Sequence, residues 1–226
     1  MEKGYRHEYK YLISKSAAQL LKLRLAGLME RDPHAGSTGQ YTIRSLYFDD
    51  LHHSAYAEKA DGIRDREKFR IRIYNYDTSV IRLEKKEKLG ELTRKTGQTI
   101  TLQDACHFEN RLSGPCPDST GDLTNLFRYK IAGGLRPVVL VDYDRTPFVC
   151  SAGQTRITLD ENLRTRPYCG SLTASDRAMI PVFGEDQVVL EVKFNDYLPG
   201  VLATALEDIP RANLAISKYV LCLNLI

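Results

Sequence analysis

Polar and apolar positions alternate along much of the chain with the two-residue period of β-strands. In Phe69 to Tyr76, Arg70, Arg72 and Tyr74 fall on one face, and Phe69, Ile71 and Ile73 on the other. In Val80 to Lys86, Arg82, Glu84 and Lys86 oppose Ile81 and Leu83. Near the start, Arg6, Glu8 and Lys10 oppose His7, Tyr9 and Tyr11. Near the end, Val189, Glu191 and Lys193 oppose Val188, Leu190, Val192 and Phe194. Arg145 in Tyr143 to Phe148, and Arg156, Thr158 and Asp160 in Thr155 to Asp160, extend the pattern.

The alternation predicts strands at 5–13, 41–49, 67–76, 79–86, 94–100, 137–146, 155–160 and 187–194. A helix is predicted over 15–30, rich in Ala, Leu and Lys and capped by Ser14 or Ser16. Two more are predicted over 102–112 and 123–132, parted by a Ser-Gly-Pro-Cys-Pro turn, and an amphipathic one from Pro210 to Leu223. Residues 50–62 read as a short helical link, 31–40 as a loop and Asp77 as a turn. Runs of strands with separate helices make an α+β fold. The expected organisation is one domain over 1–226, with 101–134 a small helical insertion on the rim of the sheet.

One charged face per strand is the ordinary outer face of a half-solvated antiparallel sheet. Two features favour a different arrangement. The opposite face is strongly apolar in each segment, and the charged face joins several Arg and Lys to a few isolated Glu. Such a sheet can close into an antiparallel β-barrel with a polar interior. An empty interior of that kind repels itself. It calls for a polyanion, and Arg forks and Lys point charges suit phosphate.

Composition narrows the class. Lys plus Arg is 32 and Asp plus Glu is 29, a net charge of +3, so the chain is no polycation of the nucleic-acid-coating kind. The local balance differs: eleven basic residues face six acidic ones between Arg64 and Lys95. Nucleic-acid binding is disfavoured because Arg, not an aromatic stacking platform, dominates the open face of 70–76. Five Cys with no CxxC suggest reduced thiols, and neither a signal peptide nor a membrane-length apolar run is visible, so a cytoplasmic location is expected. His52 and His53 are adjacent and diverge in strand or helix, a poor metal pair.

The ordered pieces YRHEYKYLI (5–13), IRSLYFDD (43–50), REKFRIRIY (66–74), RLEKKEK (82–88), RPVVLVDYDRTPF (136–148), RITLDENL (156–163), LEVKF (190–194) and AISKYVL (215–221) resemble the VTC-type polyphosphate polymerase domain of the triphosphate tunnel metalloenzymes. The resemblance implies a closed antiparallel β-tunnel with inward basic residues. It implies metal-dependent transfer of the γ-phosphoryl group of ATP onto a growing polyphosphate chain, with Mn²⁺ or Mg²⁺ as cofactor. Matched by position, it implies Arg70, Arg72, Lys86 and Lys218 as catalytic residues. Arg6, Lys10, Lys95, Arg145, Arg156, Lys193 and Ser217 would hold substrate. Glu191 would bind metal; Glu8 and Glu84 would either bind metal or pair with neighbouring cations. ATP, polyphosphate and pyrophosphate are the implied partners.

The chain departs from the family in two places. The hydrolytic branch of the superfamily carries Glu-x-Glu-x-Lys on its first strand; here the face reads Arg6-x-Glu8-x-Lys10. One carboxylate gives way to a cation, which favours polymer handling over hydrolysis. The basic residue that family members carry shortly before Ser-Lys is missing, since positions 214–216 are Leu, Ala and Ile; Arg211 is the nearest substitute. The alternatives are an inorganic or nucleoside triphosphatase on the same fold, and a non-catalytic polyphosphate-binding module.

Overall fold

The computed structural model describes residues 7–90, 92–112, 114, 118, 120–174, 178–184, 186–209 and 216–226. Arg6, Arg211, most of the Ser-Gly-Pro-Cys-Pro turn and the first residues of the expected C-terminal helix lie outside them.

In chain order the elements are β1 His7–Ser14, α1 Lys15–Ala26, β2 Glu30–Arg31, β3 Tyr41–Asp49, α2 Ser54–Ala60, β4 Arg66–Tyr74, β5 Asp77–Leu89 and β6 Leu92–Ile100. Then come α3 Leu102–Glu109, α4 Asp122–Ala132, β7 Arg136–Cys150, β8 Thr155–Pro167, β9 Ile180–Pro181, β10 Gln187–Phe194, α5 Gly200–Ala205 and α6 Lys218–Leu223. The architecture is α+β. One large antiparallel sheet runs β1-β10-β8-β7-β3-β4-β5-β6, with β2 beside β7 and β9 beside β8. Ser14 caps α1 by accepting from the Ala17 N–H.

The sheet is strongly curled. Lys86 on β5 donates to Glu8 on β1 at 2.9 Å. These strands lie six places apart in the sheet order, so a flat sheet would separate them by roughly 29 Å. Only a curl that brings the two flanks face to face allows the contact. A closed barrel would also need a backbone ladder between β6 and β1. None is present among the described residues; charged side chains bridge the gap instead.

The apolar faces point outward and are covered. Phe69, Ile71, Ile73, Ile81 and Leu83 pack with Phe108 of α3 and Phe127 and Ile131 of α4. These two helices therefore lie flat on the convex side of β4 to β6, not on a rim, because their buried aromatics have an apolar surface to meet. Ile157, Leu159, Val188, Leu190 and Val192 pack with Leu21 and Leu25 of α1 and Leu202 of α5. The middle of the concave face is also partly apolar. Ile43, Val139 and Val141 sit there with Tyr47 and Tyr143, roofed by Tyr219 and Cys222 of α6. The cations occupy the flanks around this floor.

Two details differ from the sequence expectation. The β4–β5 turn is centred on Asn75 and Tyr76, both left-handed at φ 50° and 58°, one step before Asp77. That conformation suits a two-residue hairpin. Tyr76 is held in it by its hydroxyl, which donates to Asp142, and by its ring, 4.6 Å from the Arg44 guanidinium. Secondly, α6 begins only at Lys218, with Ser217 as its cap.

On the convex side, Arg44 and Asp142 form a buried bidentate pair at 2.8–2.9 Å. Arg44 also donates to the carbonyls of Leu172 and Ala174, pinning the segment after β8. Asp142→Asn should strand a buried guanidinium and lower unfolding stability by about 3 kcal/mol in urea titration. A loss under about 1 kcal/mol would mean that the carbonyl contacts suffice alone.

Candidate functional site

Strand register places the polar residues of the concave face. Glu8 pairs across from Lys193, and Lys10 from Glu191. Arg70 lies opposite both Tyr47 and Glu84, Arg72 opposite Ser45 and Arg82, and Lys86 opposite Lys95. Residues opposite one another in an antiparallel pair project to the same side. One continuous inner surface results.

Two groups form on it. In the first, Glu84 is the hub. Its carboxylate accepts from Arg70 at 2.7 Å and from Lys95, and Arg72 stands 3.7 Å away. Arg70 also donates to the Tyr47 hydroxyl at 2.9 Å, and Arg72 to Ser45 and to the Tyr143 hydroxyl at 3.2 Å each. In the second, Glu8, Glu191 and Asp160 are spread among five cations. Lys10 reaches Glu8 at 2.9 Å and Glu191 at 3.7 Å. Lys193 reaches Glu191 at 3.2 Å and Glu8 at 3.8 Å, and Lys86 joins Glu8. Arg145 holds Asp160 in a bidentate pair and lies 3.6 Å from Glu191, while Lys218 reaches Asp160 at 2.7 Å. Tyr143 links the groups: Arg72 bonds its hydroxyl, and Lys218 lies 4.8 Å from its ring centre.

Most of the residues picked from the sequence thus converge. Ser217 caps α6 and accepts from Lys68 at 3.2 Å, and the Ile216 carbonyl accepts from Lys10 at 3.1 Å. Arg156 stands apart, tied to Asp32 at 2.7 Å and to the Tyr41 hydroxyl at 3.0 Å. Arg6 lies outside the described residues. Three participants were not singled out from sequence. Asp160 anchors Arg145 and Lys218. Tyr219 stacks on Tyr47 at 5.2 Å, and its hydroxyl donates to Asp49, which fixes the start of α6. Lys68 shares the inward parity of Arg70 and Arg72, and that parity was the signal available.

Electrostatics follow the crowding. Burial opposes ionisation of Glu8, as does neighbouring Glu191, yet Lys193, Lys10 and Lys86 hold its carboxyl down at about 2. Glu84 and Glu191 lie well below the usual carboxylate range despite burial, through Arg70 and Arg72 in one case and Lys193 and Lys10 in the other. Several lysines move the opposite way. Burial, with Arg66, Lys59 and Lys86 nearby, pushes Lys68 down to about 7. Burial and Arg70 push Lys95 to about 7 even beside Glu84, and burial and Lys10 push Lys86 to about 8. The inner surface carries more positive charge than its carboxylates neutralise.

The donor set fits a divalent cation in a limited way. Among the described residues, no group of three or more His, Cys, Asp or Glu forms a ready-made cage. A hard cation bound together with phosphate needs only one or two carboxylates, with water and phosphate oxygens completing its shell. Glu8 and Glu191 fit that role, being close enough for one to oppose ionisation of the other. Glu84 is 3% exposed and engaged by three cations, an arrangement that suits a charge anchor.

The VTC domain family profile matches residues 5–226. The chain belongs to the VTC domain family. Among solved structures, this VTC domain is similar to a candidate adenylyl cyclase from Hippeastrum with a dominant triphosphatase activity. The two share 18% identity at a TM-score of 0.61, over 98% of this chain and 96% of that one. It is also similar to a candidate adenylate cyclase from Bacillus halodurans, with 18% identity and a TM-score of 0.50, over 85% of this chain and 82% of that one. Identities this low establish a shared fold only. No curated protein gives a significant match.

The depressed lysines generate a pH prediction. Lys68 and Lys95 hold fewer protons in the empty folded protein than in the unfolded chain between about pH 7 and 10.5. Their contribution therefore makes the empty protein less stable as pH falls through that window. A bound polyanion restores their protons. Calorimetric titration with inorganic polyphosphate at pH 8, in buffers of different ionisation enthalpy, should show net proton uptake that vanishes near pH 6. Equal heats in all buffers at pH 8 would contradict the crowding.

Proposed function

We propose that this VTC domain is a metal-dependent polyphosphate polymerase, transferring the γ-phosphoryl group of ATP to the end of a polyphosphate chain. The observation that supports it is the convergence of Lys10, Arg70, Arg72, Lys86, Lys95, Arg145, Lys193 and Lys218 on one concave surface, where Glu8, Glu84, Asp160 and Glu191 are the carboxylates that pair with them among the described residues. Phosphoryl transfer depends on positioning and on neutralising charge over the phosphate oxygens. The acceptor is a phosphate oxygen that is already anionic, so no general base is required. The bond between the γ-phosphorus and its bridging oxygen breaks, ADP leaves, and a new phosphoanhydride forms.

In this reading Arg70 and Arg72 bind the transferring phosphate, oriented by Glu84, Tyr47, Ser45 and Tyr143. Lys86, Lys10, Lys193 and Arg145 hold the neighbouring phosphates. Lys218 and Ser217 close the site from α6. Glu191, with Glu8, would hold the divalent cation, which supplies charge neutralisation between donor and acceptor phosphates when bound. Arg156, tied to Asp32, serves the outer edge. Among the described residues no helix is long and apolar enough to cross a membrane.

A triphosphatase with water as acceptor is the second reading, favoured by the activity of the Hippeastrum neighbour. Incubation with ATP and Mn²⁺ separates the two: the polymerase yields ADP and acid-labile polyphosphate, the triphosphatase only short products. Tight polyphosphate binding without turnover would indicate a binding module. Arg72→Ala leaves Glu84 paired with Arg70 and Lys95, so it should lower turnover at least about 100-fold while shifting Tm by no more than about 2 °C. A large drop in Tm would mark Arg72 as structural. Glu191→Gln should abolish metal-dependent turnover, and full retained activity would remove it from the metal site.

A further inference from the structure

Helix α1 is apolar on two sides. Ala18, Leu21 and Leu25 are buried, the two leucines against the apolar face of β8 and β10 on the convex side of the sheet. The opposite side carries Ser16, Leu20, Leu23 and the cap residue Gly27, spaced four, three and four residues apart, so that they line one stripe of the helix. Leu20 is 50% exposed and Leu23 75%. A helix on a protein surface ordinarily turns charged and polar residues outward. Here the basic residues Lys15, Lys22 and Arg24 fall to the sides of the stripe, and α1 contains no acidic residue.

Two observations indicate what covers this stripe. The first is its order. Small, Leu, Leu, small reads the same in both directions. When a second α1 lies across it antiparallel, about a two-fold axis between Leu21 and Lys22, Leu20 meets Leu23 of the partner subunit and Ser16 meets Gly27 of the partner subunit. An isologous two-fold interface requires that self-complementarity. The small residues at the ends let the helices come close, and the leucines interdigitate in the middle. The second is charge. Lys22 is paired with Glu161, and Arg24 with Asp208 at 2.6 Å, both within the protomer. Two copies of a helix that lacks acids can therefore meet with little repulsion along the leucines. The same pairing leaves little free positive charge beside the leucines for an anionic lipid surface, which interfacial helices attract with Lys and Arg along their polar face.

We propose that the outer stripe of α1 is the contact between two copies of this chain, joined as an antiparallel helix pair about a two-fold axis. Because α1 lies on the convex side, the two concave surfaces face away from the contact and each stays open. The contact does not depend on what those surfaces bind.

Sedimentation equilibrium of the full chain tests it. The parent should show twice the protomer mass above roughly 10 µM, the strength expected of a small helix-pair contact. Leu23→Glu changes a side chain that is mostly outside the protomer core. It should weaken association at least about 100-fold and keep the far-ultraviolet circular dichroism spectrum of the parent. Leu20→Lys alone should weaken association likewise and serves if Leu23→Glu melts early. The double variant Leu20→Lys, Leu23→Glu sets opposite charges across the antiparallel seam and should bind itself at least about tenfold more tightly than either single variant. A parent that stays monomeric at that concentration overturns the proposal. A dimer unmoved by both single variants also overturns it, and so does a double variant no tighter than the singles. A monomeric parent that binds vesicles of phosphatidylglycerol and phosphatidylcholine, and loses them on Leu23→Glu, would overturn it in favour of a membrane surface.

Discussion

Mutual repulsion among the inward cations is the constraint around which this molecule is built. Charges removed from water are costly unless paired, and each pairing here is shared. Glu84 serves Arg70, Arg72 and Lys95; Asp160 serves Arg145 and Lys218; Glu191 is divided among Lys193, Lys10 and Arg145. Shared carboxylates keep the guanidinium and ammonium groups in place without cancelling their field. Stability must then come from elsewhere. It comes from the convex side, where Phe69, Phe108 and Phe127 and the aliphatics of α1, β8 and β10 bury large apolar surfaces. The two faces divide the work: one holds the fold together, the other holds unspent positive charge for a ligand.

Tyrosines make that division workable. Tyr47, Tyr143 and Tyr219 stand between cations, offering a ring face to Arg70, Lys218 and Lys68 in turn. A ring face attracts a cation without adding a formal negative charge. The hydroxyls of Tyr47 and Tyr143 also fix Arg70 and Arg72 in direction. Burial raises the Tyr143 phenol, but Arg145 and Arg72 pull it below its ordinary value. Tyr219 does a further job through Asp49, locking α6 over the apolar floor so that Ser217 and Lys218 face the flanks.

Much of this was legible as period-two alternation. Strands 41–49 and 187–194 match β3 and β10, because each is bounded by turn-forming residues. Parity alone assigned Arg70, Arg72, Glu84 and Lys86 to the inner face. What escaped depends on tertiary pairing. β7 and β8 run on to Cys150 and Pro167, well past their expected ends at 146 and 160, because each is extended by the other's ladder and not by local pattern. α5 is only six residues long, too short for a helical period to show. Asp160 looked like one more polar strand residue; its role appears only once Arg145 and Lys218 arrive from β7 and α6. Lys68 was visible by parity and lies within the piece 66–74, but no role was attached to it.

The layout of the cations bears on which acceptor the proposed site would use. Water is small and neutral, and its attack on a terminal phosphate requires one anchored triphosphate. Joining two phosphate chains is a harder electrostatic problem, because donor and acceptor are both anionic and must approach within bonding reach. Positive charge is needed around each of them. The concave surface carries two cationic groups, one centred on Glu84 and one spread over Glu8, Glu191 and Asp160, with Tyr143 as the hinge between them. Lys86 and Lys95, opposite one another across β5 and β6, belong one to each group. Two adjoining basins fit two anionic chains meeting end to end better than they fit one chain and a water molecule.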